Sequence, residues 1–127
     1  MTSRPKILVV DDEPDVRNLV SRLLGPIGDV DIAVDGAEAL DLILAGARPD
    51  LIVLDLMMPK MDGLTLTREL KKDPALARIP IVILTAKTGA RDMVDGINAG
   101  ARHYVTKPFK SEELLGKVRK ALGQAAK

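Results

Sequence analysis

Lys6-Ile7-Leu8-Val9-Val10-Asp11-Asp12 is an apolar run that stops on two carboxylates, and the same arrangement returns along the chain. Leu51-Ile52-Val53-Leu54 ends on Asp55, Ile81-Val82-Ile83-Leu84 ends on Thr85, and Tyr104-Val105-Thr106 ends on Lys107 just ahead of Pro108. Short apolar runs separated by helical patterns read as strands of a parallel sheet. In an open α/β sheet ligands bind beyond the carboxyl ends of the strands, and that is where each of these polar residues falls. Three carboxylates on one rim make a hard oxygen site of the kind Mg²⁺ prefers. A hydroxyl and an ammonium beside them suit the oxygens of a phosphoryl group.

Working outward, the pattern alternates strand and helix five times, the order of a doubly wound α/β fold. Pro14 suits the opening turn of a first helix carrying Val16, Leu19, Val20, Leu23 and Leu24, which Gly25-Pro26 stops. Residues 29–34 alternate, with Val30, Ile32 and Val34 facing one way, and predict an edge strand covered on one side. Asp35 and Glu38 have capping-box spacing for a helix containing Ala39, Leu40, Ile43 and Leu44 that ends near Gly46. The runs 51–54 and 81–84 are apolar at every position, so they belong in the sheet centre, buried on both faces. Asp62-Gly63 leads into a helix through Leu64, Leu66, Leu70 and Lys71, closed by Asp73-Pro74. Residues 88–99 form the least apolar helical stretch, one that can shift cheaply. After a short strand at 102–106, Ser111 is expected to cap a last helix, with Glu112 and Glu113 in its first turn and Lys117, Arg119 and Lys120 toward its end.

The chain is expected to be a single domain over residues 1–127, long enough to bury its own core. Nineteen bases nearly balance eighteen acids, so no overall field points to nucleic acid or to an anionic membrane. The charge is segregated, however: residues 101–127 carry seven bases and two acids, and residues 1–100 carry twelve bases and sixteen acids. The lack of cysteine excludes disulfides and thiolate metal sites. With no apolar leader and no run long enough to span a bilayer, a soluble cytoplasmic protein is the expectation.

Taken in order, Asp11-Asp12, Asp55, Met58-Pro59-Lys60-Met61-Asp62-Gly63, Thr85 and Lys107-Pro108 carry a resemblance that covers the whole chain. The sequence resembles the receiver (CheY-like) domain of two-component response regulators. Each motif alone is commonplace; all five in order, each at a strand end, are specific. The resemblance implies a flavodoxin-like five-stranded parallel sheet of order 2-1-3-4-5 with five helices. It implies Asp55 as phosphoacceptor, and Mg²⁺ held by Asp12, Asp55 and the backbone carbonyl of Met57, with Asp11 acting through a bound water. It makes Lys107 and the Thr85 hydroxyl the partners of phosphoryl oxygens, after a cis Lys107-Pro108 peptide, and Thr85 and Tyr104 the switch pair. The implied donor is a phosphohistidine on a sensor histidine kinase or a histidine phosphotransfer protein. The implied output is a changed face built from residues 88–99, the last strand and the last helix, which binds a downstream protein or a second copy. No direct nucleic-acid or membrane partner is expected. With only residues 123–127 after the last helix, the chain resembles stand-alone regulators, but a receiver cut out of a DNA-binding regulator or hybrid kinase would look identical.

Other readings are weaker. Asp11 could cap a helix; Tyr104, one of two aromatics with Phe109, could be plain core; His103 has no ligand partners; and Lys117 to Lys120 reads better as a solvated helix end than as a nucleic-acid patch. An enzyme of the Mg²⁺-dependent aspartyl phosphatase class wants a second carboxylate two residues after its nucleophile, where this chain has Met57. A phosphorylation-independent interaction module would not need the full acid, hydroxyl and lysine set. The expectation is therefore a switch that promotes only its own phosphorylation and dephosphorylation.

Overall fold

The computed structural model describes residues 4–56, 61, 63–86 and 103–123. In chain order these form β1 (Lys6–Val10), α1 (Pro14–Leu24), β2 (Asp29–Ala33), α2 (Gly36–Leu44), β3 (Leu51–Leu54), α3 (Gly63–Lys71), β4 (Ile81–Thr85), β5 (His103–Thr106) and a C-terminal helix (Ser111–Ala121). The strands make one parallel sheet in the order β2-β1-β3-β4-β5, the flavodoxin-like order. Four helices lie among the described residues; the expected helix over 88–99 lies outside them.

Side-chain alternation along the central strands divides the core into two layers. Leu8, Val10, Ile52, Leu54, Ile81 and Ile83 face α2 and α3, meeting Ala39, Ile43, Leu66 and Leu70. Ile7, Val9, Leu51, Val53, Val82 and Leu84 face the other way, meeting Val20 and Leu24 of α1 and Leu114 and Val118 of the C-terminal helix. All four residues of β3 are buried, because this strand has helices on both faces. Burying each of the Val, Leu and Ile side chains among these contributes on the order of 2 kcal/mol. The sheet is thereby a rigid floor that fixes where its carboxyl ends point.

Local signals set the helix boundaries. Asp35 Oδ1 accepts the Glu38 N–H at 2.8 Å, and Glu38 Oε1 accepts the Val34 N–H at 3.2 Å, so the expected capping box forms with its return bond one residue earlier than the usual pattern. Two expectations need correction. Val30 packs against the core, as expected, but Ile32 and Val34 do not: they are 46% and 40% exposed, while Ala33, on the opposite face, is fully buried. As an edge strand β2 has a neighbour on one side only, and side chains near its outer rim stay in contact with water. Ser111 is the first helical residue and not the cap; Lys110 holds the cap position without a side-chain bond. The two glutamates of the first turn supply the negative charge that the helix start favours. Among the described residues no helix is long and apolar enough to cross a membrane.

Candidate functional site

The sheet order brings three chain-distant residues to one rim. Asp11 follows β1, Asp55 follows β3 and Lys107 follows β5. The hydrogen bonds Asp11 N–H to Ala33 O (3.2 Å) and Asp55 N–H to Val10 O (3.0 Å) carry the ladder one residue past the strand ends, so both carboxylates are set by backbone pairing. Lys107 Nζ donates to Asp11 Oδ2 at 2.9 Å, to Asp55 Oδ2 at 3.0 Å and to Glu13 Oε1 at 3.1 Å. The side chains of Lys107, Asp11 and Asp55 are 12%, 2% and 6% exposed. The Lys107-Pro108 peptide is cis, as the resemblance implies.

This arrangement concentrates negative charge. Oxygens of Asp11, Asp12, Glu13 and Asp55 lie within 4.8 Å of one another, and Lys107 donates to three of these four carboxylates. Burial pushes the Asp11 carboxyl above its ordinary value, although the Glu13 N–H and Lys107 hold it down in part. Burial also opposes the Lys107 ammonium, but the hydrogen bonds from it to Asp11 and Asp55, and their charges, outweigh that and hold it above the ordinary lysine value. An all-oxygen donor set with surplus negative charge fits a hard divalent cation.

The backbone around the rim is closely built. Arg17 Nη1 donates to the Asp11 carbonyl at 2.8 Å, tying α1 to the loop that carries the acids. Gly36 N–H donates to Met61 O at 3.2 Å, and a Cβ at Gly36 would fall on that oxygen. Gly63 opens α3 against the end of β3: its N–H reaches Leu56 O at 3.1 Å, and a Cβ there would collide with the Asp55 carbonyl oxygen and the Leu54 side chain. Thr67 Oγ1, buried, donates to Gly63 O at 2.7 Å and holds the turn down. Gly63→Ala is therefore expected to destabilise the domain by about 1–3 kcal/mol despite the better helix propensity of alanine, because backbone must move. Urea denaturation checks this, and an unchanged midpoint would show that the contact yields without cost.

Of the expected site residues, Asp11, Asp12, Asp55 and Lys107 converge. Thr85 ends β4 paired with Thr106, and its side chain lies outside the description. Met57, Met58, Pro59, Lys60 and Asp62 also lie outside the described residues. Tyr104 is partly buried against the α2 and α3 layer, and His103 is partly buried. Glu13 was not expected at the site. The signal for it was a third acid directly after Asp11-Asp12, but its meeting with Lys107, 94 residues away, is a product of the fold.

Comparison with known proteins agrees with this geometry. The family model described as the response regulator receiver domain matches residues 7–119. The chain is similar to the DNA-binding dual master transcriptional regulator RpaA of Synechocystis, 45% identical over 93% of this chain and 49% of that protein. It is likewise similar to the DNA-binding response regulator MtrA of Mycolicibacterium smegmatis, 44% identical over 95% of this chain and 52% of that protein. The chain thus spans about half the length of these curated relatives. Among solved structures it resembles the chemotaxis protein CheY4 of Vibrio cholerae, with a TM-score of 0.86 and 33% identity over 94% of this chain and 99% of that one. The expectation of no direct nucleic-acid partner is overturned by RpaA and MtrA, whose names make them DNA-binding. It rested on the charge balance of 127 residues, and the field of one stretch does not report on the half of those relatives that this chain does not cover. The convergence of two acidic strand ends on one lysine, on a parallel sheet of order 2-1-3-4-5 matched along nearly its whole length, places this chain in the family of two-component response regulator receiver domains.

Proposed function

We propose that the domain is a phosphorylation-driven switch in which Asp55 accepts a phosphoryl group from a phosphohistidine donor. The observation that carries this reading is the contact of Lys107 Nζ with Asp55 Oδ2 and Asp11 Oδ2 in a nearly buried rim site. One carboxylate oxygen of Asp55 attacks phosphorus; the O–P bond forms as the P–N bond breaks, and the departing imidazole nitrogen takes a proton from water. Lys107, already beside Asp55, pairs with a phosphoryl oxygen, and the Thr85 hydroxyl donates to another.

Asp12, Asp55 and the backbone carbonyl of Met57 are the residues to hold Mg²⁺, with Asp11 acting through a water. In support of that division, both Asp11 oxygens are engaged, Oδ1 by the Glu13 N–H at 2.9 Å and Oδ2 by Lys107, whereas Asp12 is exposed beside them. Bound Mg²⁺ supplies the positive charge that lets an anionic carboxylate meet an anionic phosphoryl group. The phosphoryl group adds charge and acceptor oxygens beside Thr85, and Tyr104 passes the change to the face of β5 and the C-terminal helix. Likeness to RpaA and MtrA supports control of DNA binding in a longer polypeptide as the output. The test is amide NMR with Mg²⁺ and beryllium fluoride, an acyl-phosphate mimic. Shifts are expected at Asp55, Thr85 and along 103–106; an unchanged spectrum overturns the switch.

A further inference from the structure

The three acceptors of Lys107 are not equivalent. Asp11 and Asp55 are nearly buried, but the Glu13 side chain is 59% exposed at the outer edge of the rim, 3.1 Å from Nζ. Glu13 also acts from its backbone, where its N–H holds Asp11 Oδ1 at 2.9 Å. One residue, the cap position of α1, thus touches both members of the Asp11–Lys107 pair. A divalent cation among the Asp11, Asp12 and Asp55 oxygens competes with the ammonium for Asp11 Oδ2 and Asp55 Oδ2 and repels it at close range. The displaced ammonium then needs an acceptor other than those two oxygens, and Glu13 Oε1, on the most exposed of its three carboxylate partners, is one it already contacts.

We propose that Glu13 is a positioning residue that keeps the Lys107 ammonium at the outer rim when a divalent cation takes the inner carboxylate oxygens. The proposal rests on the Mg²⁺ site of the function proposed above. Without a carboxylate at position 13, Lys107 keeps, among the described residues, only Asp11 and Asp55 as carboxylate acceptors, remains a competitor, and weakens cation binding. The pair at the rim is partly exposed, which limits the effect.

The experiment is a Mg²⁺ titration, by calorimetry and amide NMR, of the full chain carrying Glu13→Gln, Glu13→Asp, Lys107→Met, or Glu13→Gln with Lys107→Met. Glu13→Gln is expected to weaken Mg²⁺ about two- to fivefold. Glu13→Asp keeps the charge but is one methylene too short, and should behave like the glutamine variant. In the Lys107→Met background Glu13→Gln should weaken Mg²⁺ clearly less than it does in the wild-type chain, because the residue through which it acts is gone. A loss that persists undiminished there shows that Glu13 acts on the cation directly and overturns the proposal, as does wild-type affinity in Glu13→Gln. Should the Lys107→Met chains not fold, the ¹⁵Nζ signal of Lys107 in Mg²⁺-saturated protein decides: one indifferent to Glu13→Asp overturns it. A wild-type chain that binds no Mg²⁺ removes the proposed metal site and this inference with it, whereas Mg²⁺ binding that ignores position 13 removes this inference alone.

Discussion

Asp55→Asn is expected to abolish phosphoryl transfer from acetyl phosphate in the presence of Mg²⁺, lowering the rate by about three orders of magnitude or more. The carboxamide has nearly the shape of the carboxylate, so the packing around a residue only 4% exposed survives. Its oxygen can still accept from Lys107, which leaves the rim assembled. The nucleophile is lost: the amide nitrogen lone pair is delocalised into the carbonyl, and no anionic oxygen remains to attack phosphorus. Intact-mass spectrometry reads the outcome as the presence or absence of one added phosphoryl group, with circular dichroism to confirm the fold. A base-labile phosphoryl label persisting in the variant would move the acceptor elsewhere.

Lys107→Met is expected to cost about 3 kcal/mol of stability in metal-free buffer near neutral pH, because it removes an ammonium that pairs with two nearly buried carboxylates, Asp11 at 2.9 Å and Asp55 at 3.0 Å. The pH dependence gives the cause away. The Asp11 carboxyl already lies above its ordinary value of 3.8, so ionising it costs the folded state as pH rises through the raised value, and Lys107 limits that cost. Without Lys107 the raise becomes larger, and the deficit of the variant should be greatest near neutrality and shrink on acidification. In the wild-type chain the lysine is raised above its ordinary 10.5, so its contribution is complete below that pH and is lost only as pH climbs through the higher folded value. Lys107→Met should lack that alkaline step. Mg²⁺ should then stabilise the variant more than the wild type, since the competing ammonium is gone. Urea denaturation across pH, with and without Mg²⁺, tests all three statements. A deficit of equal size at every pH would mean that lost packing, and not lost charge, is the cause.

The sequence by itself determined the fold class and most of the candidate site. Unbroken apolar runs at 51–54 and 81–84 can be satisfied only by burial on both faces, which makes the sheet parallel and covered. The residues that end such runs must then lie on one rim, so Asp11, Asp55 and Lys107 were legible as neighbours before any coordinate. The capping pair Asp35 and Glu38 was legible too, since its partners are three residues apart and local geometry settles the matter. What tertiary structure decided were the matters that depend on neighbours far along the chain. Alternation showed that Val30, Ile32 and Val34 share a face but not that the edge position leaves Ile32 in water and buries Ala33 instead. Ser111 had the chemistry of a cap, yet the chain path gives that position to Lys110. Glu13 is the clearest case: its role depends on a lysine 94 residues later whose path returns to β1 across two intervening strands. Local spacing records which residues share a strand or a helix face; it carries no record of which side chains meet across the rim, because sheet order and packing make those contacts.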